Sequence, residues 1–228
     1  MVLAAGLGLR MRPLTDHMPK PLVRVAGKAL IDYGIDHLRA AEVQTVVVNA
    51  HYFADQIVAW AHHQTAPQIV LSDERAEILD TGGGIAKALP LLGHDAFFVL
   101  NSDSFWIDGG GPALNKLKAA WNNSTMDCLL LLCPLAKTVG YDGHGDFTMA
   151  ADGRLTRQSG NGALAFIGGY LVHPRLFKDM PFGKFSMNVL WDKAIAMGRL
   201  YGIAHDGVWL HVGTPDAIGL AEAELAKT

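Results

Sequence analysis

The chain has 228 residues, of which 50% are hydrophobic and 18% are charged. This balance is typical of a packed globular protein and excludes a disordered one, and the length suits a single domain over residues 1–228 with no C-terminal repeat domain. The formal net charge of −3 comes without a run of lysine or arginine, which excludes a nucleic-acid-binding surface.

The expected compartment is the cytoplasm. The opening MVLAAGLGLR lacks a basic leader and its apolar part ends after a few residues, unlike a signal peptide. No apolar stretch reaches the roughly 20 residues of a membrane helix, so no membrane partner is expected. Cys128 and Cys133 stand in an apolar run without zinc-site spacing, and we expect buried thiols.

Short apolar runs alternate with segments of helical period through the first half of the chain. In order, the predicted strands and helices are MVLAA, LIDYGIDHLRAAE, VQTVVVN, FADQIVAWAHH, QIVLSD, the segment after TGGG, and AFFVLNSD. This alternation predicts parallel strands with helices on both faces. One face of the first helix carries the expected core residues Leu30, Ile31, Ile35, Leu38 and Ala41.

The second half breaks this alternation. MDCLLLLC, GDFTMAADGRLTRQ and ALAFIGGYLV read as strands, and Asp152-Gly153 predicts a hairpin turn, so a mixed sheet is expected there. A helix is predicted from about Ser186 to Ala196, with Gly198 as its stop.

A last helix opens at GTPD near the end of the chain. Thr214 can cap this helix, and Pro215 suits its first position. The remaining histidines show no metal-binding spacing such as HExxH, so the pair His62 and His63 is expected on the surface.

A glycine-rich loop follows the first strand, at the edge where an open parallel sheet binds its ligands. Gly6 and Gly8 carry no side chains that would block an anion, and successive amides there can form a phosphate nest. A dinucleotide fingerprint would need a third glycine where Met11 stands, and a P-loop would need Gly-Lys-Ser or Gly-Lys-Thr, which is absent. The two glycines alone are equally compatible with a plain tight turn.

Two cations near this loop favour phosphate binding. Arg10 carries a planar fork suited to phosphate oxygens, while Pro19 and Pro21 hold Lys20 in a stiff, extended segment. Surface cations are usually solvated, but the glycines, Arg10 and Lys20 in this order indicate a triphosphate site. Asp103, at the end of a predicted strand, is a natural magnesium ligand beside such a site, with a cap of the next turn as the alternative.

The segments LAAGLGLRMRPLT and PKPLVRVAGKALI resemble the signature of the sugar-1-phosphate nucleotidyltransferases, which join a nucleoside triphosphate to a sugar phosphate and release pyrophosphate. LDTGGGIAKALPLLG, FFVLNSD, the strand pair around Gly153 and Gly168, and WLHVGTPDAIGLAEAE extend the resemblance over nearly the whole chain. It implies an α/β fold, a single Rossmann-like, GT-A-like domain built as a three-layer α/β/α sandwich around a mixed, mainly parallel sheet. It also implies Mg²⁺ as the cofactor and small molecules as the partners.

The resemblance assigns roles to residues of this sequence. Arg10 would withdraw charge from the leaving pyrophosphate, Lys20 would face the α-phosphate, and Asp103 would hold the metal. The residues expected around the nucleotide are Ala4, Ala5, Gly6, Gly8, Glu74, Asp80, Thr81, Gly82 and Gly83. In TGGG the glycines would let main-chain groups reach the base, or the segment would only open a helix, with Thr81 as its cap. The residues expected to border the sugar are Gly145, Phe166 and Gly168, although the aromatic ring also suits the core.

Within the family, TGGGIAKALPLLG and GHGDF are most similar to the uridylyltransferases that act on N-acetylmuramic acid 1-phosphate, which implies UTP as the nucleotide. Mannose-1-phosphate guanylyltransferases share most of these residues, and glucose-1-phosphate thymidylyl- or uridylyltransferases are a further alternative. A glycosyltransferase on a similar sheet would usually need an Asp-x-Asp metal motif, whereas NSDSFW has serine and phenylalanine after Asp103.

Two positions depart from the family pattern. Relatives carry a metal-binding aspartate where His211 stands, and histidine is a poor ligand for Mg²⁺, so Mn²⁺ is an alternative cofactor. No lysine stands where relatives have a Glu-Lys-Pro stretch that grips the sugar phosphate. Arg154 or Arg157 could replace it, but arginines on a strand beside a turn are more often solvated. A nucleotide-binding regulator without turnover therefore stays an alternative, and the chain could be a monomer or a homodimer.

Overall fold

The computed structural model describes residues 1–180 and 182–227. Within these ranges the strands are β1 (Val2–Leu3), β2 (Arg24–Val25), β3 (Lys28–Ala29), β4 (Thr45–Ala50), β5 (Gln68–Asp73), β6 (Phe97–Asn101), β7 (Ser104–Ile107), β8 (Cys128–Pro134), β9 (Thr138–Val139), β10 (Phe147–Met149), β11 (Leu155–Arg157), β12 (Leu164–Val172), β13 (Leu200–Ala204) and β14 (Val208–His211). The α-helices are α1 (Leu30–Ala40), α2 (Ala54–His62), α3 (Asp80–Leu92), α4 (Ala113–Ala120), α5 (Met187–Ala196) and α6 (Asp216–Leu225). Short 3₁₀ turns occupy Leu9–Met11, Leu14–Asp16, Lys20–Leu22, Leu135–Lys137 and Pro174–Phe177.

The main sheet has the strand order β11-β10-β12-β6-β1-β4-β5, and β8 pairs with β12 while β13 pairs with β8. β5, β4, β1 and β6 are parallel to one another, as are β8 and β13. β12 is antiparallel to β6, β8 and β10, and β11 is antiparallel to β10. β12 and β11 therefore run against the other seven strands, which confirms a mixed, mainly parallel sheet.

Alternate side chains of the sheet supply two separate cores. Val46 and Val48 of β4 pack into the cluster that includes residues of α1, α2 and α4, whereas Val47 packs into the cluster of α3 and α5. β8 alternates in the same way between the two clusters. Because each buried aliphatic side chain contributes about 1.5–3 kcal/mol, both faces of the sheet need a helix layer. The three-layer α/β/α prediction is confirmed.

A small second sheet, β7-β14-β9, lies beside the main one. Phe105 of β7 and Leu210 of β14 share a third core cluster with Met11, which follows the first loop. The strand β6 ends at Asn101, two residues before Asp103, and His211 pairs with Ser104 across β14 and β7. The small sheet therefore holds His211 next to the bend that carries Asp103.

The helix ends test the predicted caps. The side chain of Ser186 accepts from the amide of Asn188 at the start of α5, and the chain turns at Gly198 with φ +66°, so both expectations are confirmed. Thr214 was expected to cap α6, and this expectation was wrong. Its backbone carbonyl accepts from Ala217, while no side-chain hydrogen bond caps this helix in the described residues.

Several other expectations are also confirmed. The five core residues named for α1 are buried, β10 and β11 form a hairpin around Asp152 and Gly153, and His62 and His63 are exposed. Cys128 and Cys133 are buried and unpaired, and burial raises the pKa of the Cys133 thiol to about 11. None of the helices in the described ranges combines the length and apolarity of a membrane span.

Candidate active site

A cavity of about 520 Å³ opens at the carboxyl ends of β1, β4 and β6. Parallel strands present their carboxyl ends at one edge, so residues far apart in the chain converge there. Of the residues expected to bind nucleotide or metal, those that line it are Ala5, Gly6, Gly8, Arg10, Lys20, Asp80, Thr81 and Asp103.

The first loop, residues 4–10, uses its two glycines differently. Gly8 has φ +64°, and a Cβ there would lie 2.9 Å from Cβ of Lys20 and 3.0 Å from Cγ2 of Thr15. Its carbonyl accepts from the Met11 amide at 2.9 Å and from the Thr15 hydroxyl at 2.8 Å. A Cβ at Gly6 would meet no atom within 4 Å. Gly8 is therefore needed for packing and conformation, and Gly6 leaves space open in the cavity.

Lys20 and Asp103 form the charged floor of this cavity. Nζ of Lys20 lies 3.2 Å from Oδ2 of Asp103, and the lysine side chain is 10% exposed against 36% for the aspartate. Burial of the Asp103 carboxyl favours its neutral form, but the charges of Lys20, His211 and Arg10 outweigh burial and hold its pKa below its usual range. The carboxylate is therefore ionised at neutral pH and faces the cavity.

A buried polar network supports the start of the first loop. The amide of Ala4 donates to Oδ1 of Asn49 at 2.7 Å, and Nδ2 of Asn49 donates to Oε1 of Glu74 at 2.8 Å. Glu74 is 1% exposed, and burial raises its pKa. Glu74 and Ala4 were predicted to bind nucleotide, but they lie behind the cavity, where Glu74 contacts the loop through Asn49, which does line it.

The TGGG segment, Thr81–Gly84, is packed against the chain itself. The amides of Gly82 and Gly83 both donate to the carbonyl of Phe185, at 2.9 and 3.0 Å. A Cβ at Gly82 would overlap the Phe185 ring, one at Gly83 the carbonyl of Gly183, and one at Gly84 would lie 2.8 Å from Oε1 of Glu74. Contrary to the expectation that these glycines expose main-chain groups to a base, they accommodate residues 183–185. Thr81 does not cap its own helix either, because its hydroxyl accepts from the Met187 amide of α5.

A second cavity of about 250 Å³ shares Asp80, Thr81 and Asn101 with the first. Phe166, predicted to border the sugar, lines this cavity and packs edge-on against Trp191 with ring centroids 4.8 Å apart. Its ring therefore serves both the core and the cavity wall.

The other two residues predicted to border the sugar, Gly145 and Gly168, do not line either cavity as the described residues define them. A Cβ at Gly145 would lie 2.6 Å from Cβ of Ala163, and one at Gly168 would lie 3.0 Å from Cβ of Asn101. Gly168 sits at the irregularity of β12 between Phe166 and Tyr170. Both glycines therefore shape the backbone behind the wall of the second cavity.

Residues 1–133 match the family model of the MobA-like NTP transferase domain. An N-acetylmuramate alpha-1-phosphate uridylyltransferase of Caulobacter vibrioides is 48% identical over 100% of this chain and 96% of the relative. A uridylyltransferase of the same name from Neisseria meningitidis is 33% identical over 98% of this chain and 96% of the relative. This chain belongs to the sugar-1-phosphate nucleotidyltransferase family.

Solved structures of nucleotidyltransferases share the fold. A UDP-glucose pyrophosphorylase in complex with UDP-glucose has a TM-score of 0.79 at 15% identity, covering 100% of this chain and 98% of that one. HddC from Yersinia pseudotuberculosis, in complex with GMP-PN, has a TM-score of 0.75 at 20% identity over 98% and 97% of the two chains. Membership in the family makes the chain an enzyme of the nucleotidyltransferase class.

Enzymes of this family use a divalent metal ion, and the residues present fit one only in part. Asp103 supplies an ionised carboxylate that faces the cavity. Nδ1 of His211 lies 3.2 Å from the carbonyl of Gly140, and its ring packs beside Gly213, which lines the cavity. Among residues 1–180 and 182–227, no group of three or more His, Cys, Asp or Glu side chains could hold a metal. A hard cation there would need phosphate oxygens and water besides Asp103.

The sequence analysis missed or set aside three residues of this nucleotidyltransferase site. Lys184 lines the first cavity from the segment before α5, Asn101 lines both cavities, and Arg157 lines the second. Arg157 was one of two arginines considered as a replacement for the missing lysine, and solvent exposure was the alternative. The lone lysine in FGKF, between a glycine and the Ser186 cap, was the available signal for Lys184, but its place in the lining of the first cavity depends on tertiary packing.

Proposed function

We propose that this nucleotidyltransferase joins UTP to N-acetylmuramic acid 1-phosphate and releases pyrophosphate. Two curated relatives, 48% and 33% identical over nearly the whole chain, carry that activity in their names. The single structural observation that carries the proposal is the cavity in which Gly6, Arg10, Lys20 and Asp103 converge. An open glycine, two cations and an ionised carboxylate are what a triphosphate with its metal requires.

Lys20 and Arg10 of the first cavity have different roles in the transfer. An oxygen of the sugar phosphate attacks the α-phosphorus of UTP in line, a new P–O bond forms, and the bond to the β-phosphate oxygen breaks as pyrophosphate leaves with its electron pair. Lys20, fixed by Asp103 at 3.2 Å, stabilises charge on the α-phosphate, and Arg10 offsets charge on the leaving group. No covalent intermediate with the protein is needed.

We assign the nucleotide to the first cavity, with the base near Asp80 and Thr81. The sugar then lies in the second cavity, because Asp80, Thr81 and Asn101 join the two spaces. Phe166 forms part of its wall, while Gly145 and Gly168 hold that wall from behind. The proposed unit is one nucleotidyltransferase domain over residues 1–228, acting in the cytoplasm as a monomer or homodimer on small-molecule substrates.

Mg²⁺ is the proposed cofactor, held by Asp103, and Mn²⁺ is the alternative that His211 favours. A bound divalent ion would offset the negative charge of the phosphates. The test measures the reaction rate of the natural chain and of His211→Asp at increasing concentrations of Mg²⁺ and of Mn²⁺. A second carboxylate should lower the Mg²⁺ concentration that gives the half-maximal rate. If the substitution changes neither the Mg²⁺ nor the Mn²⁺ dependence, His211 does not belong to the metal site.

A pyrophosphate-release assay tests the reaction. UTP, dTTP, GTP, CTP and ATP are each combined with the 1-phosphates of N-acetylmuramic acid, N-acetylglucosamine, glucose and mannose. The highest kcat/KM is expected for UTP with N-acetylmuramic acid 1-phosphate. A higher value for GTP with mannose 1-phosphate, or for dTTP or UTP with glucose 1-phosphate, would replace the proposal with that activity. Binding of UTP in a thermal-shift experiment without pyrophosphate from any pair would favour a regulator.

A further inference from the structure

The second cavity contains a guanidinium group that the transfer reaction does not use. Arg157 is the one lysine or arginine among the described residues that line this cavity, and it does not line the first cavity. The surrounding wall combines polar side chains with aromatic ones, among them Phe147, Phe166 and Trp191. A cation in such a wall is suited to an anionic group on the ligand.

Several contacts hold Arg157 in one orientation. Its Nε donates to Oδ1 of Asp192 at 2.9 Å, and its Nη2 donates to Oδ1 of Asn188 at 2.8 Å. The guanidinium carbon lies 4.6 Å from the centroid of the Phe147 ring and 5.6 Å from that of Trp191. Within the described residues, no hydrogen bond occupies Nη1. Nη2 also donates to the backbone carbonyl of Asn188 at 3.4 Å, so the Nε–Nη2 edge is occupied and Nη1 keeps its N–H donors for a ligand.

The phosphate of the sugar is not the natural partner of Arg157. That phosphate must reach the α-phosphorus in the first cavity, where Arg10, Lys20 and Lys184 supply positive charge. Asp146 also lines the second cavity, and its Oδ2 already accepts from the Phe166 amide at 2.8 Å. A sugar hydroxyl or amide suits the Asp146 side of the cavity, and a second anion suits the Arg157 side.

N-acetylmuramic acid carries such a second anion, because a lactyl ether adds a carboxylate to N-acetylglucosamine. Resting on the function proposed above, we propose that Arg157 binds this carboxylate and selects N-acetylmuramic acid 1-phosphate over N-acetylglucosamine 1-phosphate. A carboxylate accepts charge-assisted hydrogen bonds from the N–H donors of Nη1, beside the Phe147 and Trp191 rings that already contact the guanidinium. Arg157 is then a specificity-determining residue rather than part of the transfer chemistry.

The test compares the two sugar phosphates on the same enzyme preparations, with UTP as the nucleotide. Arg157→Gln removes the positive charge, and Arg157→Lys keeps a positive charge but lacks the planar guanidinium group. Arg154→Gln is the matched control, because Arg154 stands on the same hairpin, bonds to the Tyr201 hydroxyl at 3.2 Å and lines neither cavity. Thermal unfolding midpoints of all four proteins separate loss of fold from loss of binding.

The ratio of kcat/KM between the two sugar phosphates is the deciding quantity. Arg157→Gln should lower kcat/KM for N-acetylmuramic acid 1-phosphate about 10- to 100-fold, mainly through KM, and lower that for N-acetylglucosamine 1-phosphate less than about 3-fold. Arg157→Lys should recover part of the ratio, and Arg154→Gln should leave it unchanged.

Other results would overturn the inference without touching the proposed function. An equal rise in KM for both substrates would mean that Arg157 binds the sugar phosphate instead. An unchanged ratio would remove it from ligand recognition. A fall in kcat for both, together with a lower unfolding midpoint, would make it a structural residue of the hairpin. Failure of the proposed function is distinguishable, because the natural chain would then release no pyrophosphate with either substrate.

Discussion

The first loop and the TGGG segment are both glycine-rich and both lie at the same edge of the sheet, yet their glycines face different partners. At Gly6 an added Cβ would enter open space of the cavity, whereas at Gly82, Gly83 and Gly84 it would strike Phe185, Gly183 and Glu74. The amides of Gly82 and Gly83 are likewise bonded to Phe185. One segment leaves room for a ligand, and the other leaves room for the protein's own chain.

A glycine-rich run in a sequence therefore indicates that other atoms come close to the backbone there, but it does not show whether they belong to a ligand or to the protein. Only the tertiary structure distinguishes the two. Residues 183–185 come about 100 positions after TGGG, so no local pattern reveals that they close over it. The first loop instead has charged residues nearby in the sequence, and these made its interpretation possible. Four substitutions test the comparison.

Lys20→Ala should have the largest effect, because it removes the cation that borders the first loop. Loss of one preorganised charge contact to a transition state typically costs about 100- to 1,000-fold in rate, and we expect that fall in kcat/KM. Lys118→Ala, on the exposed face of α4, is the control and should keep full activity. Full activity of Lys20→Ala in steady-state kinetics would show that the first loop does not serve the phosphates.

Gly83→Ala should mainly reduce stability. Its Cβ would overlap the Gly183 carbonyl, and overpacking of this kind costs about 1–3 kcal/mol. Gly219→Ala is the control, because Gly219 lies in α6, where a Cβ would meet no atom within 4 Å, and alanine there should raise stability slightly. Chemical denaturation measures both free energies of unfolding. A Gly83→Ala protein as stable as the parent would mean that residues 183–185 move aside at no cost.

Gly6→Val should have the opposite profile. The added Cβ meets no protein atom within 4 Å, so the unfolding midpoint should stay within about 1 °C of the parent, while KM for UTP rises about 10-fold. Gly6→Ala should give a smaller rise in the same direction. If Gly6→Val unfolded early instead, the contrast between the two glycine-rich segments would disappear.

Glu74→Gln should have the smallest effect and tests the link between the two segments. Burial raises the pKa of Glu74 above the usual value of about 4.3, so the folded chain keeps the proton to higher pH than the unfolded chain. The free energy of unfolding of the parent should therefore fall relative to Glu74→Gln as pH rises from about 4, by at most about 1.4 kcal/mol per pKa unit. Parallel stability curves would mean that Glu74 is not buried as a titrating group.

Much of the fold could be predicted because local pattern and tertiary structure agree. The alternation in VQTVVVN matches a strand whose Val46 and Val48 face one core and Val47 the other, and Ser186 and Gly198 bound α5 as expected. The prediction for Thr214 was wrong because its backbone carbonyl, and not its side chain, accepts the hydrogen bond from the Ala217 amide. A capping residue in a sequence does not show which of its oxygens accepts.

The site was predicted best at the parallel half of the sheet. Gly6, Arg10, Lys20 and Asp103 meet at the first cavity, as the common edge of β1 and β6 requires. Glu74 was expected near the base but is buried behind the first cavity, since a sequence does not distinguish a carboxylate that touches a ligand from one that holds Asn49. Arg157 could not be separated from a solvated arginine in the sequence, because Asp192 of α5 contacts it only in the folded chain.

The two cavities draw most of their residues from different parts of the chain. The family model ends at residue 133, and most residues of the first cavity fall within it, whereas most residues of the second cavity come from β10, β11, β12 and α5, beyond it. Substitutions beyond residue 133 can therefore change the second cavity while most of the first cavity stays as it is.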